Sequence, residues 1–196
     1  MGMPRPSTAD QRRAELLPIV AKTFARTGYG RATTAGLARS CGVAENTLFR
    51  LWGGKKAMYL ASLDYLYEST VATWRRCLTA GRSGSRAEIL LAHEGKHYGE
   101  HGMYRIVFTG LAEIDDGDIR QALRTMYRRF HGFLRDCIVE HRGADDETAS
   151  QLAWTVIGMA TVAGIGRALR LITKQQQREL FADVGSTLLA ANDNEP

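Results

Sequence analysis

The chain has little of what marks a secreted, membrane or β-sheet protein. Only three cysteines occur in 196 residues, Cys41, Cys77 and Cys137, an odd number with no CxxC pair. That spacing argues against a disulfide framework and fits a reducing, cytoplasmic setting. Prolines number four, and a single one, Pro18, falls inside an amphipathic segment, so few breakers interrupt the helical patterns. No signal-peptide pattern opens the chain. The most apolar stretch, Leu152 to Leu171, contains Arg167 and Arg170, and it reads as a buried helix rather than a membrane span. Strand-like alternation of useful length is missing, as is any internal repeat. The expectation is an all-α fold.

What is present starts with charge. The net charge is +5, and 44% of residues are apolar, enough for a sizeable core. Residues 1–56 hold ten Lys/Arg against three Asp/Glu, a balance of +7; the remainder holds sixteen against eighteen, a balance of −2. A basic N-terminal domain facing a polyanion and a near-neutral C-terminal domain follow from that asymmetry.

The basic region contains the run YGRATTAGLARSCGVAENTLFRLWGGKK, Tyr29 to Lys56. Thr33 and Thr34 are suited to cap a helix start. A helix over 34–40 then buries Leu37 and Ala38, and Gly42 supplies a left-handed turn. A second helix over 44–51 turns Leu48 and Trp52 inward. Two helices joined by a glycine-containing turn form a helix-turn-helix, whose second helix enters the DNA major groove. The finer pattern, with Gly28-Tyr29, Thr33-Thr34, Leu37-Ala38, Gly42-Val43, Thr47-Leu48-Phe49, Trp52 and Lys55, resembles the N-terminal signature of the TetR (tetracycline repressor) family of bacterial transcription regulators.

That resemblance implies a three-helix DNA-binding domain at 1–54 and a larger helical effector-binding and dimerisation domain at 55–196. Periodicity places a first helix from Asp10, as its cap, to Thr27, with Leu16, Leu17, Val20 and Phe24 inward and a tolerated kink at Pro18. Further helices are expected over 55–79, 86–100, 103–114, 118–141, 146–171 and 175–191. Residues 1–9 read as a frayed basic arm.

The expected DNA-binding residues are Thr33, Thr34, Ala44, Glu45, Asn46, Thr47, Phe49, Arg50 and Lys55. Geometry lets the start of the recognition helix reach base edges. Asn46 suits adenine, Glu45 can accept from cytosine N4, and Thr47 suits a thymine methyl or a phosphate; Arg50 suits guanine or phosphate. Glu45 also has a plain role as a negative charge at a helix N-terminus. Phe49 stands where the resembling family usually has Tyr, so a hydroxyl contact to phosphate is missing. Lys55 and the caps Thr33 and Thr34 are expected to hold phosphates, which position the protein without specifying sequence.

A second motif points elsewhere. His93-Glu94-Gly95-Lys96-His97 matches HExxH, which on a helix presents two zinc ligands and a general base. His101 extends the same face. Gly95 and Gly99 weaken that helix, and the extended motif does not follow. The expectation is therefore no enzyme, cofactor or bound metal, with the histidines lining a polar part of a cavity or facing solvent. The alternative is a metal-dependent hydrolase, or a metal-responsive protein that holds an effector or structural ion on the His93, His97 and His101 face.

Toward the C-terminus, small residues crowd the stretch WTVIGMATVAGIGRAL, from Trp154 to Leu169. The resemblance implies that the last two helices form a four-helix bundle with a second subunit, as a palindromic operator requires. Gly158, Ala160, Ala163, Ile165, Leu180, Val184 and Leu188 are the expected interface. Trp74, His97, Tyr98, His101, Tyr104, Phe108, Tyr127 and Trp154 are the expected pocket residues for a small, largely apolar effector. The whole reads as a cytoplasmic homodimer that binds double-stranded operator DNA and responds to a small molecule. The alternative within that class is a DNA-binding protein with no effector.

Overall fold

The computed structural model describes residues 7–80, 84–99, 104–143 and 145–189. Among them every regular element is helical: α1 Thr8–Thr27, α2 Thr34–Cys41, α3 Glu45–Trp52, α4 Lys55–Thr79, α5 Arg86–His97, α6 Tyr104–Leu111, α7 Gly117–Arg142, α8 Asp146–Ala168 and α9 Lys174–Leu189. Residues 1–6 of the expected arm, and the expected pocket residue His101, lie outside the described residues.

Helix ends follow local chemistry and correct several expectations. Ser7, rather than Asp10, caps α1: its hydroxyl oxygen accepts the Asp10 N–H at 3.2 Å and donates to Asp10 Oδ2 at 2.7 Å. Asp10 sits in the first turn, where a carboxylate complements the helix dipole, and the Ser7 hydroxyl holds it below its usual pKa. The helix runs unbroken through Pro18. Helix α8 ends at Ala168 instead of 171, because the Leu171 N–H folds back to the Gly166 carbonyl at 2.8 Å. Arg170 takes the left-handed position of that turn at φ 59°. A glycine usually marks such a stop, and here none did.

The chain forms two compact units. The first comprises residues 1–69 and 101–126, the second 70–100 and 127–196. In the first unit, Val20, Phe24, Leu37, Leu48, Met58, Tyr59, Ile106 and Ile119 are fully buried. The Tyr59 ring meets Phe24 edge-on at 5.2 Å and Tyr29 at 4.9 Å. Its hydroxyl donates to the Ile106 carbonyl at 2.7 Å, and burial pushes its pKa up to about 12. Gly110 of α6 makes that possible, since a Cβ there would overlap the Tyr59 hydroxyl.

A Gly110→Ala variant is therefore expected to be less stable by about 1–3 kcal/mol, the overlap and the strained buried hydrogen bond outweighing the helix propensity gained. Chemical denaturation of the two proteins checks the sign. A more stable variant would show that the Tyr59 hydroxyl yields without penalty.

In the second unit, Leu91, Ile138, Ala149, Ala153, Ala163 and Phe181 form the buried core. Helices α5 and α9 approach closely through two glycines. A Cβ on Gly95 would stand 2.9 Å from Phe181 Cβ, and one on Gly185 2.7 Å from Leu91 Cδ1. Buried Gln177 donates to the Gly95 and Tyr98 carbonyls, both at 3.2 Å, and so satisfies the C-terminal end of α5.

Candidate nucleic-acid interface

The α2–turn–α3 segment is built as its sequence dictates. The Thr33 hydroxyl accepts the Gly36 N–H at 3.1 Å and is the cap of α2, while Thr34 is its first helical residue. Gly42 takes φ 65°, and the Val43 N–H returns to the Ala38 carbonyl at 3.1 Å to close the helix end. Leu37, Ala38 and Leu48 are buried and join the two helices.

Helix α3 differs from its neighbour at its start. Ala44 precedes it and offers no side-chain cap, so Glu45 in the first turn supplies the negative charge that favours that end. Ala44, Glu45, Asn46, Phe49 and Arg50 are exposed, and Thr47 is half-buried. Among the described residues Glu45, Asn46 and Arg50 have no hydrogen-bond or ion-pair partner, so their donors and acceptors are open to an incoming ligand.

Three basic residues of this region are already engaged, all of them through contacts far apart in the sequence. Arg13 of α1 donates from Nε to the Leu51 carbonyl at 2.7 Å, tying down the C-terminal end of α3. The half-buried Lys55 donates to the Tyr29 carbonyl at 3.1 Å and lies 4.4 Å above the Tyr29 ring, a cation–π clamp. Lys56 pairs with Asp118 at 2.7 Å and Asp116 at 3.1 Å, and these carboxylates push its pKa up to about 12. Among the described residues of α2 and α3, the side chains of Arg39 and Arg50 are cationic and without a partner.

The HExxH stretch is occupied differently from a protease site. The His93 and His97 rings lie 4.8 Å apart, but Glu94 Oε1 accepts the Trp74 indole N–H at 2.6 Å, and His93 Nδ1 meets Cys77 Sγ at 3.3 Å. Glu94 is half-buried as a residue, yet its carboxyl is well screened from water. Burial pushes its pKa up against the opposing pull of Trp74 and His97. Among the described residues no group of three His, Cys, Asp or Glu is arranged to hold a metal ion. Gly95, in the middle of the motif, serves the close packing of α9.

The expected pocket residues separate. Tyr104 and Phe108 meet edge-on at 5.8 Å in the first unit. In the second, buried Trp74 packs on Phe130 and Phe133 at 5.7 and 5.3 Å, and Tyr98 meets Phe181 at 5.9 Å. Tyr127 is half-buried, and Trp154 is exposed with one face on His131. Glu94 was read only as part of the HExxH stretch, and Phe130 and Phe133 were not among the expected pocket residues, although all three pack around Trp74.

The expected subunit interface divides too. Ala163 is 1% exposed and belongs to the chain's own core, against which Ala160 and Leu180 also pack. Gly158, Ile165 and Val184 face outward, joined by Trp154, Val162 and Leu169. The Leu188 side chain lies outside the described residues. Helix α8 has the length and apolar content to span a membrane. Its small residues Ala149, Ala153, Ala163, Gly164 and Gly166 are buried, however, and leave a one-sided outer stripe.

An N-terminal helix-turn-helix with an open reading helix, on an all-helical chain, defines a DNA-binding transcriptional regulator. Residues 21–62 match the profile of "Bacterial regulatory proteins, tetR family", so the helix-turn-helix region is a TetR-type DNA-binding domain. A nucleoid occlusion factor SlmA of Vibrio vulnificus (strain YJ016) is 25% identical over 198 aligned positions, covering 94% of this chain and 97% of the relative. That of Vibrio cholerae is 26% identical over 137, covering 67% and 68%. Among solved structures, a TetR-family regulator from Cytophaga hutchinsonii superposes with a TM-score of 0.77 at 16% identity, over 98% of this chain and 100% of that one. A transcriptional regulator from Saccharomonospora viridis, in complex with choline, gives 0.70 at 17%, over 88% and 94%. At such identities the structures show a shared fold.

Proposed function

We propose that the protein is a cytoplasmic, homodimeric repressor that leaves a palindromic operator when a small apolar effector binds. The observation that carries the DNA-reading half is the row of exposed, unpartnered polar groups on α3. Residues 1–54 act as the reading head and 55–196 as the effector-binding and dimerisation domain. Glu45, Asn46 and Arg50 set sequence preference, with Thr47 beside them. Thr33, Thr34 and Lys55 add affinity through phosphates, joined by the open first turn of α3 at Ala44.

Lys55 then has two duties, since it also clamps Tyr29. Lys55→Ala is expected to weaken binding to all sequences alike and to lower the salt slope by about one unit. Loss of the Tyr29 contact should also lower the unfolding midpoint. Titrations over a range of salt check this, and a changed sequence preference would contradict the assignment.

The effector site belongs in the second unit, around Trp74, Phe130 and Phe133, with His97, Tyr98 and Tyr127 contributing to its lining. Glu94 supplies a polar anchor beside the aromatic rings, as small-molecule sites commonly have. Helix α4 carries Trp74 and also begins at Lys55, so its displacement alters the spacing of the two reading heads. The effector must bind one spacing better than the other, because equal affinity for both shifts nothing.

A second reading is a DNA-binding protein with no effector; the relatives aligned along 94% of the chain are named as nucleoid occlusion factors and not as effector-released repressors. A thermal-shift screen of apolar, cationic and polyanionic compounds, followed by operator release, separates the two. Stabilisation and release by an apolar compound support the repressor. A screen in which no compound does both supports the second reading, and release by polyanions or metal ions alone overturns the pocket assignment.

A further inference from the structure

We infer that Phe49 is a specificity residue whose ring reads the C5 methyl of a thymine in the operator's major groove. The inference rests on the operator-reading role of α3 proposed above. Phe49 is 58% exposed on an eight-residue helix whose inner face is held by the fully buried Leu48. Its ring has no aromatic partner among the described residues, so packing within the chain does not account for it. Without a hydroxyl it can neither donate to a phosphate nor pair with a base edge. The thymine methyl is the apolar group that the major groove offers to such a ring.

The neighbours on α3 strengthen this. Residues four apart share a ridge of the helix, so Glu45 lies in line with Phe49, and Asn46 in line with Arg50. A carboxylate repels phosphates but accepts from cytosine N4, and a bare ring suits a methyl. Both groups on the first ridge therefore match the pyrimidine edge of the groove. The second ridge pairs Asn46, which suits adenine, with Arg50, which suits guanine. One ridge reads pyrimidines and the adjoining ridge reads purines. Glu45 and Phe49 stand about 6 Å apart along the helix axis, so the pyrimidines they contact are one or two base steps apart.

The test begins with the full chain and a random duplex library, from which bound sequences are selected. In the selected duplex each thymine is then replaced, one at a time, by deoxyuridine, which removes only the methyl. At one thymine per half-site the unmodified chain should lose about 4-fold in affinity, the worth of burying one methyl group. Phe49→Ala should bind the thymine and deoxyuridine duplexes equally at that position, and Phe49→Tyr should keep the discrimination. Since Phe49 is exposed, both variants should unfold at the same temperature as the parent. Indifference to every deoxyuridine, or undiminished sensitivity in Phe49→Ala, overturns the role of Phe49 while leaving operator reading intact. A library that shows no enrichment overturns operator reading itself, and this inference with it.

Discussion

A Val162→Glu, Ile165→Glu variant is expected to be a folded monomer that holds a palindromic operator about 100-fold or more weakly than the parent. Val162 is 65% and Ile165 40% exposed on α8, so within one chain the new carboxylates sit in water and leave the fold undisturbed. Between two chains they would be buried against apolar partners, which is prohibitive for an unpaired charge. Losing one subunit removes the second reading head, and the avidity of two half-sites goes with it. Ala163 is unsuitable for this purpose, because its methyl lies in the chain's own core and a charge there tests folding. Sedimentation and operator titration of the same samples decide the matter. A monomer that retains parental affinity, or a dimer that survives both charges, would remove α8 from the interface.

The second large effect is expected from the reading helix. Asn46→Ala should relax preference at an adenine, and Arg50→Ala should relax it at a guanine, each by about 1–3 kcal/mol, or tenfold to somewhat over a hundredfold. Both side chains are exposed and unpartnered, so stability should barely move. Binding to unrelated sequences should persist in Asn46→Ala with the salt slope unchanged, since an amide neutralises no phosphate. For Arg50 the slope separates two roles. A loss of preference at constant slope marks a base contact, and a slope lower by about one unit with preference kept marks a phosphate contact.

The course of the helices was legible because each rule involved is local. Thr33 caps α2, Gly42 turns the corner before α3, and α4 runs from Lys55 to Thr79 over the expected range. The stop of α8 was not legible, because its left-handed residue is Arg170, a side chain that gives no local signal. The same limit applied to the reading head. The contact from Arg13 to the Leu51 carbonyl joins residues 38 apart in the chain, and the Lys55–Tyr29 clamp joins residues 26 apart. No periodicity carries that information. For the HExxH stretch, spacing alone presents two histidines and a carboxylate on one helix. The partner from α4, Trp74, is what turns Glu94 to another use.

Small residues were ambiguous for a related reason. Glycine and alanine permit close approach on whichever side of a helix they lie, and composition does not say which partner approaches. Gly95 and Ala163 serve the chain's own packing, whereas Gly158 opens outward with no atom within 4 Å of where its Cβ would be. The outward face needed large apolar residues left in water to reveal it, and Val162, Leu169 and Trp154 supply them.

The central claim, that α3 reads a DNA sequence, is tested most directly by titrating the full chain at one physiological salt concentration with its selected duplex and with a shuffled duplex of equal length and composition. The account predicts affinity for the selected duplex at least about 1,000-fold higher, the usual margin of specific over non-specific binding. Two binding curves that coincide would contradict it, leaving a basic domain that holds DNA by charge alone.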